Sequence, residues 1–243
     1  MRLTNAFWEE RNLGLKSCEI VFEKGEILNK NDLKRITNEF QYIVAKVHEG
    51  DIKLVHELES DGFRYIENKY RYSADPQRFI DFDKKYLNHY SDVYCQRVYD
   101  ADNFGIIRKN IYNHLFEYDR ITLDPLFNEN ISSFRHAYWV EDLFQKKNVE
   151  TYLLKKSDKN FGFFIFEKTD HKYFIPMAGI FEEFQKTGLA FFLIYFPFKV
   201  AWENGSKSVE AVFTSNNISI INLIARTTKF QIIESYILLR KII

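Results

Sequence analysis

Gln185, Lys186, Thr187, Gly188, Leu189 and Ala190 stand between an apolar strand and a bulky apolar helix, and their types suit an anion. A helix N-terminus presents unpaired N–H groups and the positive end of the helix dipole, so small residues there let a phosphate approach those donors closely. Gly188 and Ala190 supply the room, and Lys186 adds a charge. The pattern is loose, and a glycine in an ordinary helix-starting turn satisfies it equally. Its position is more telling, because a strand, this loop, a helix and a crossover to a further strand form the setting in which α/β sheets bind cofactors.

Acid–base groups are the next candidates. Glu182 and Glu183 precede the loop; a carboxylate there would accept an ammonium proton directly or through water, or simply face solvent in a turn. His136, within FRHAYWVEDLF, has the side chain that titrates nearest neutral pH; the alternative is a half-buried helix histidine with a structural partner. Arg120, Arg135 and Asp124 surround the stretch DRITLDPLF, where an arginine fork matches a diphosphate or else forms an ion pair. Tyr138 and Trp139 stack on a base or sugar, or pack in the core. His48, His56, His89, His114 and His171 lack ligand spacing, so no metal is expected.

These residues need a scaffold, and the hydrophobic pattern describes one. Strands are read at CEIVFEKG, YIVAKVHEG and RYIENKYRYS, with helices at NKNDLKRITNEF and DIKLVHELESDGF between them. The polar stretch SADPQRFIDFDKKYLNH is read as a linker, dividing an N-terminal domain (1–85) from a second one (86–243). Beyond it come the strand SDVYCQRVY and two helices, DNFGIIRKNIYNHL and NISSFRHAYWVEDLFQ. The strands VETYLLKK, NFGFFIFEK and KYFIPMAGIF then form an antiparallel meander. A helix from Leu189 to Glu203, the strand SVEAVFTS, a helix from Asn217 to Thr228 and the strand QIIESYILLRK complete the chain. The fold class is α/β (α+β) with a mixed, mostly antiparallel sheet flanked by helices, and both parts share a loose strand and helix alternation.

Composition excludes several functions. With 46% hydrophobic and 17% aromatic residues, the 243-residue chain can bury a core large enough to offset its ordering entropy. Basic and acidic residues cancel at 34 each, which removes the footprint of a nucleic-acid binder. Cys18 and Cys95 form no metal or disulfide framework. The start, MRLTNAFWEERNLG, is not of signal-peptide type, and the apolar run from Leu189 to Phe198 falls short of the ~20 residues that span a bilayer. A soluble, cytoplasmic protein that engages no membrane is expected.

The loop and its setting resemble the GNAT superfamily of CoA-dependent N-acetyltransferases over residues 91–243. The whole chain is similar, more narrowly, to the dTDP-fucosamine acetyltransferases of bacterial envelope polysaccharide synthesis, which modify dTDP-4-amino-4,6-dideoxygalactose. NAFWEERNLGLKSCEIV, DRITLDPLFNENISSFRHAYWVEDLF and SNNISIINLIARTTKFQIIESYILLRK carry that likeness. The resemblance makes Gln185 to Ala190 the pyrophosphate cradle of acetyl-CoA. It makes Ala178, Gly179 and Ile180 the strand that bonds pantetheine, and Asn217 a contact to the CoA arm. The helix bearing Arg135, His136 and Tyr138 would line the acceptor side together with Arg120, and a splayed strand end would offer an N–H to the thioester oxygen as charge develops.

The expected reaction is direct attack of the amine of a nucleotide-linked amino sugar on acetyl-CoA, with the N-terminal domain, which resembles a partial copy of the GNAT fold, helping to shape the acceptor cleft. Another amine, or a degenerate module that binds CoA without turnover, are the alternatives, and pairing into a homodimer is an expectation from base rates. The sequence departs from the family in two places. Where the family's last helix carries a Tyr that protonates the thiolate, about two turns after the Asn, this chain has Ile224 or Ala225. The usual Gly-Phe end of that helix is Lys229 and Phe230. Pro197, inside the helix after the loop, should kink it.

Overall fold

The computed structural model of the chain describes residues 1–77, 87, 90–116, 119–127, 129–169 and 171–243. The strands are β1 (Arg2–Asn5), β2 (Ser17–Val21), β3 (Tyr42–His48), β4 (Arg64–Ala74), β5 (Val93–Arg97), β6 (Val149–Lys156), β7 (Lys159–Thr169), β8 (Lys172–Ile180), β9 (Ser208–Thr214) and β10 (Phe230–Ile242). The α-helices are α1 (Phe7–Leu13), α2 (Lys30–Glu39), α3 (Ile52–Ser60), α4 (Ala101–Tyr112), α5 (Glu129–Phe144), α6 (Phe192–Glu203) and α7 (Ile218–Thr227). The linker expected at 73–89 falls mostly on residues 78–86, 88 and 89, which lie outside the described residues, and its first two residues extend β4.

All ten strands form one sheet in the order β1-β2-β3-β10-β4-β9-β8-β7-β6-β5. Two neighbouring pairs, β2 with β3 and β8 with β9, run parallel, and each needs a crossover helix, supplied by α2 and α6. Each pair is then followed by a helix and a long strand, so β2-α2-β3-α3-β4 and β8-α6-β9-α7-β10 are two modules of one design. Their last strands are exchanged. β10 lies between β3 and β4, and β4 lies between β10 and β9. The centre of the sheet therefore belongs to both modules.

Helices cover both faces. Phe161, Phe163, Phe164, Ile165 and Phe166 of β7 are fully buried, which is why that strand reads as a continuous apolar run. Phe164 and Phe166 pack under α6 and α7, while Phe163 and Ile165 pack under α4 and α5. Each buried aromatic of this kind contributes about 1.5–3 kcal/mol. In the first module α2 and α3 cover Ile20, Ile43 and Ala45. Alternation along β4 and β10 sends Tyr70, Tyr72 and Ile237 to the α2, α3, α6 and α7 face. Glu67, Lys69, Arg71, Glu234 and Tyr236 take the other face, the one that also carries α1, α4 and α5.

Candidate functional site

β8 and β9 pair over four residues, from Lys172 with Ser208 to Ile175 with Ala211, and then part. β8 continues to Ile180 on β7 alone, and β9 continues to Thr214 on β4. The branch point is Pro176, which has no N–H to give a neighbouring strand. A bulge in the β7–β8 ladder at the same level, between the Ile165 and Glu167 pairs, re-aims the remainder of β8. The Phe181 N–H donates to the Phe161 carbonyl at 2.9 Å. By ladder alternation, Gly179 also faces β7, whereas Ala178 and Ile180 direct their main-chain groups into the opening. Close approach fixes the glycines here, since a Cβ on Gly162 would stand 2.6 Å from the Gly179 carbonyl oxygen.

The chain leaves β8 through a short 3-10 turn, Glu182–Phe184, whose two carboxylates are exposed. Thr187 Oγ1 donates to the Phe184 carbonyl at 2.5 Å and ties the loop back. Lys186 and Gly188 adopt φ of +62° and +84°, the left-handed region that glycine alone enters freely. Leu189 then starts a second 3-10 turn, Leu189–Phe191, that runs into α6. A left-handed residue followed by a helical one turns successive N–H groups toward one side, which makes an anion concavity. Gln185 to Gly188 and Ala190 are exposed, while Leu189 is buried as the anchor. Pro197 sits inside α6 without ending it. Asn217 is the N-cap of α7, its Oδ1 accepting from the Ile220 N–H at 3.2 Å, and α7 touches the Leu189–Phe191 turn.

The acceptor-side residues read from the sequence lie together but face one another. Arg120 is buried, with its guanidinium paired to Glu9 and, at 2.8 Å, to Glu19. Arg135 Nε donates to Glu9 at 2.9 Å, and Arg240 forks onto Asp124 at 2.5 and 2.8 Å. Burial alone would raise the Glu9 carboxyl, but Arg120 and Arg135 outweigh it and hold it below the usual range. His136 is buried, and its Nδ1 bonds the Ser132 carbonyl at 2.9 Å beside Asp119 at 3.3 Å. Burial pushes the imidazole down to about 4, against the pull of Asp119. Tyr138 lies under the Arg11 guanidinium at 4.4 Å. These contacts give Arg120, Arg135 and His136 structural partners: Glu9 of α1, a helix that hydrophobic periodicity does not reveal, supplies the counter-charge for the two arginines, and Ser132 and Asp119 hold the histidine. Of the two residues at the place expected for the Tyr, Ile224 is buried and Ala225 is exposed.

Sequence reasoning missed the cavity beside the branch point. About 310 Å³ in volume, it is lined by Lys69 and Arg71 of β4, Phe174 of β8, Val212 of β9, and Glu234 and Tyr236 of β10. Phe174 and Val212 flank the place where β8 and β9 part. The signal was the alternation Lys-Tyr-Arg-Tyr in RYIENKYRYS, which puts both cations on one face. Among the described residues no group of three or more His, Cys, Asp or Glu side chains is placed to hold a metal, and no helix is long and apolar enough to cross a membrane.

No family model matches the sequence, and no curated protein matches it. Solved structures do. A functionally unknown conserved protein from Staphylococcus epidermidis ATCC 12228 superposes with a TM-score of 0.64 at 15% identity, over 93% of this chain and 84% of that one. A GCN5-related N-acetyltransferase from Kribbella flavida gives 0.60 at 12% identity, over 93% and 80%. A tandem GNAT protein from the clavulanic acid biosynthesis pathway gives 0.53 at 10% identity, over 93% and 75%. With its splayed parallel pair and its helices on both faces, this chain has the fold of the GCN5-related N-acetyltransferases.

Proposed function

We propose that the protein is an acetyl-CoA-dependent N-acetyltransferase, with the CoA pyrophosphate at Gln185 to Ala190 and pantetheine along Ala178, Gly179 and Ile180. The observation that carries this reading is the conjunction of three features. The strands part at Pro176, an exposed left-handed turn opens at one end of the gap, and a cavity lies at its apex. Main-chain groups of Ala178 and Ile180 line the gap, so an N–H there would hold the thioester oxygen without any particular side chain. Asn217, already capping α7, supports the arm from the far side through its side-chain amide.

The acceptor in this reading is an amine that enters the cavity from the α5 face. A nucleotide-linked amino sugar is supported by the three resembling stretches alone, since the guanidinium groups of Arg120 and Arg135 are taken up by Glu9 and Glu19. A cavity of about 310 Å³ favours a smaller primary amine, or the sugar end of a larger one. Titration calorimetry with CoA and acetyl-CoA, followed by thiol release over a panel of amines that includes amino sugars and their nucleotides, tests the proposal. One CoA per chain and turnover with some amine are expected. Absence of CoA binding overturns the reading, and binding without turnover on any amine favours a degenerate module.

A further inference from the structure

β4 belongs to the first module in chain order, yet its exchange into the second brings Lys69 and Arg71 to the cavity. Two residues before Lys69, Glu67 is fully buried, and among the described residues no backbone N–H or hydroxyl donates to its carboxylate. Lys69 Nζ lies 3.1 Å from Glu67 Oε1, and its side chain keeps 30% of its surface. Lys69 therefore meets whatever enters the cavity, and Glu67 stands behind it. Of the other polar lining groups, Arg71 and Tyr236 are poor proton acceptors, and Glu234 is paired with Arg71. Arg71 stays charged and is held by Glu210 at 2.6 Å and by Glu234 at 3.4 Å. Burial and the Glu234 carboxylate keep the Tyr236 hydroxyl protonated.

We infer, on the transferase reading above, that the Glu67–Lys69 pair is the proton acceptor of the acyl transfer, with Lys69 touching the acceptor nitrogen and Glu67 sharing the proton it takes. The pair acts from the state in which Lys69 is an amine beside the Glu67 carboxylate; the proton it takes is then shared, as ammonium with carboxylate or as amine with carboxylic acid, and the apparent affinity belongs to both groups. The acceptor ammonium gives one proton to the pair. Its nitrogen lone pair then forms the C–N bond to the thioester carbonyl carbon, and the C–S bond breaks with its electrons on sulfur. A second nitrogen proton passes to the thiolate, and the pair returns its own to water. The products are an amide, a free thiol and one proton in solution. Around Lys69 stand Glu67 and Arg71 on β4, Glu234 and Tyr236 on β10, Arg120, and Arg135 with neutral His136 on α5. Burial lowers the Lys69 pKa, and Arg120 and Arg135 act in the same direction against Glu67.

Three measurements on the whole chain test this. Calorimetry with CoA on wild type, Lys69→Met, Lys69→Arg and Glu67→Gln should give equal affinities, which shows that the variants fold and that the cradle is intact. Trace labelling with acetic anhydride across a pH series, read peptide by peptide, needs no acceptor. Lys69 should reach half its reactivity about one pH unit or more below the exposed lysines, and Glu67→Gln should lower it further. Thiol release with the best primary amine of the panel should fall about 10²-fold in kcat for Lys69→Met, with Lys69→Arg giving no rescue. Labelling of Lys69 in step with exposed lysines overturns the inference, and so does Lys69→Arg activity within a few-fold of wild type. Absence of CoA binding in wild type would instead fail the transferase reading, while the labelling still decides the state of the pair.

Discussion

After β2 the chain turns at Gly25, φ +75°, and the Gly25 N–H donates to Asp51 Oδ2 at 2.9 Å. After β8 it turns at Gly188, φ +84°, just before the Leu189–Phe191 turn that α7 touches. The two loops hold matching places in the two modules. Asp51 also matches Asn217, since both stand at the N-cap of the helix after the parallel pair, but only Asn217 caps its own helix. In the first module a carboxylate thus occupies the loop's N–H group, in a cavity of about 240 Å³ that also carries Glu26 and Glu57. In the second the loop is exposed and its helix cap is neutral. On the proposed reading, a shared topology positions two loops, and the charge at each decides which of them an anion enters.

The first module spends its own charges on holding the molecule together. Arg120 sits between Glu9 of α1 and Glu19 of β2 and joins the segment before α5 to that module. Replacing it by methionine leaves two buried carboxylates with less counter-charge, so Arg120→Met should destabilise the fold by about 3–5 kcal/mol in urea unfolding. A loss below about 1 kcal/mol, the size of a surface pair, would break the contrast between a structural module and a binding one.

The same junction predicts an acid limb. His136, lowered from 6.5 to about 4, refuses a proton that the unfolded chain takes, so its contribution to stability is full above pH 6.5 and is lost as pH falls toward 4. Asp119, lowered from 3.8 to about 2, accounts for a further loss between those values; burial would raise it, but His136 and Arg135 prevail. The shift of His136 corresponds to about 3 kcal/mol. Denaturant unfolding at a series of pH values should show this limb, and His136→Gln should flatten it between pH 6.5 and 4.

Much of the architecture was legible because its residues repeat with the right period. The strand boundaries from YIVAKVH to QIIESYILLRK follow from apolar alternation or from continuous apolar runs, which report burial on one face or on both. The turn before α6 was legible as well, because it needs Gly188 and the helix after it needs its apolar side chains. Two things were not. α1 is a short helix of mixed polarity, FWEERNL, whose Glu9 is buried only because Arg120 and Arg135 arrive from more than a hundred residues away. The exchange of β4 and β10 is a matter of strand order, which side-chain periodicity does not encode, and the cavity lined by Lys69 depends on it.

Two substitutions at matched positions sharpen the comparison between the loops. A β-branched residue at φ near +84° costs about 1–3 kcal/mol of local strain, which the loop relieves by moving its N–H groups. Gly188→Val should therefore weaken CoA by about 10-fold or more, whereas Gly25→Val should leave CoA affinity unchanged at a similar cost in stability. Equal effects of both on CoA would place the coenzyme elsewhere.

The smallest effect concerns the caps. Asn217 Oδ1 satisfies the Ile220 N–H of α7, so Asn217→Ala should cost about 1 kcal/mol in urea unfolding. Asp51 makes no such bond to α3 and is bound to Gly25 instead, so Asp51→Ala removes a loop clasp and one negative charge rather than a cap. Its expected signature is different in kind. The stability change should be smaller than for Asn217→Ala, and inorganic phosphate should then protect the first module's loop from hydrogen exchange where it does not protect the wild type. If phosphate leaves Asp51→Ala unprotected, the carboxylate is not what closes that loop to anions, and the surrounding Glu26 and Glu57 become the next substitutions to make.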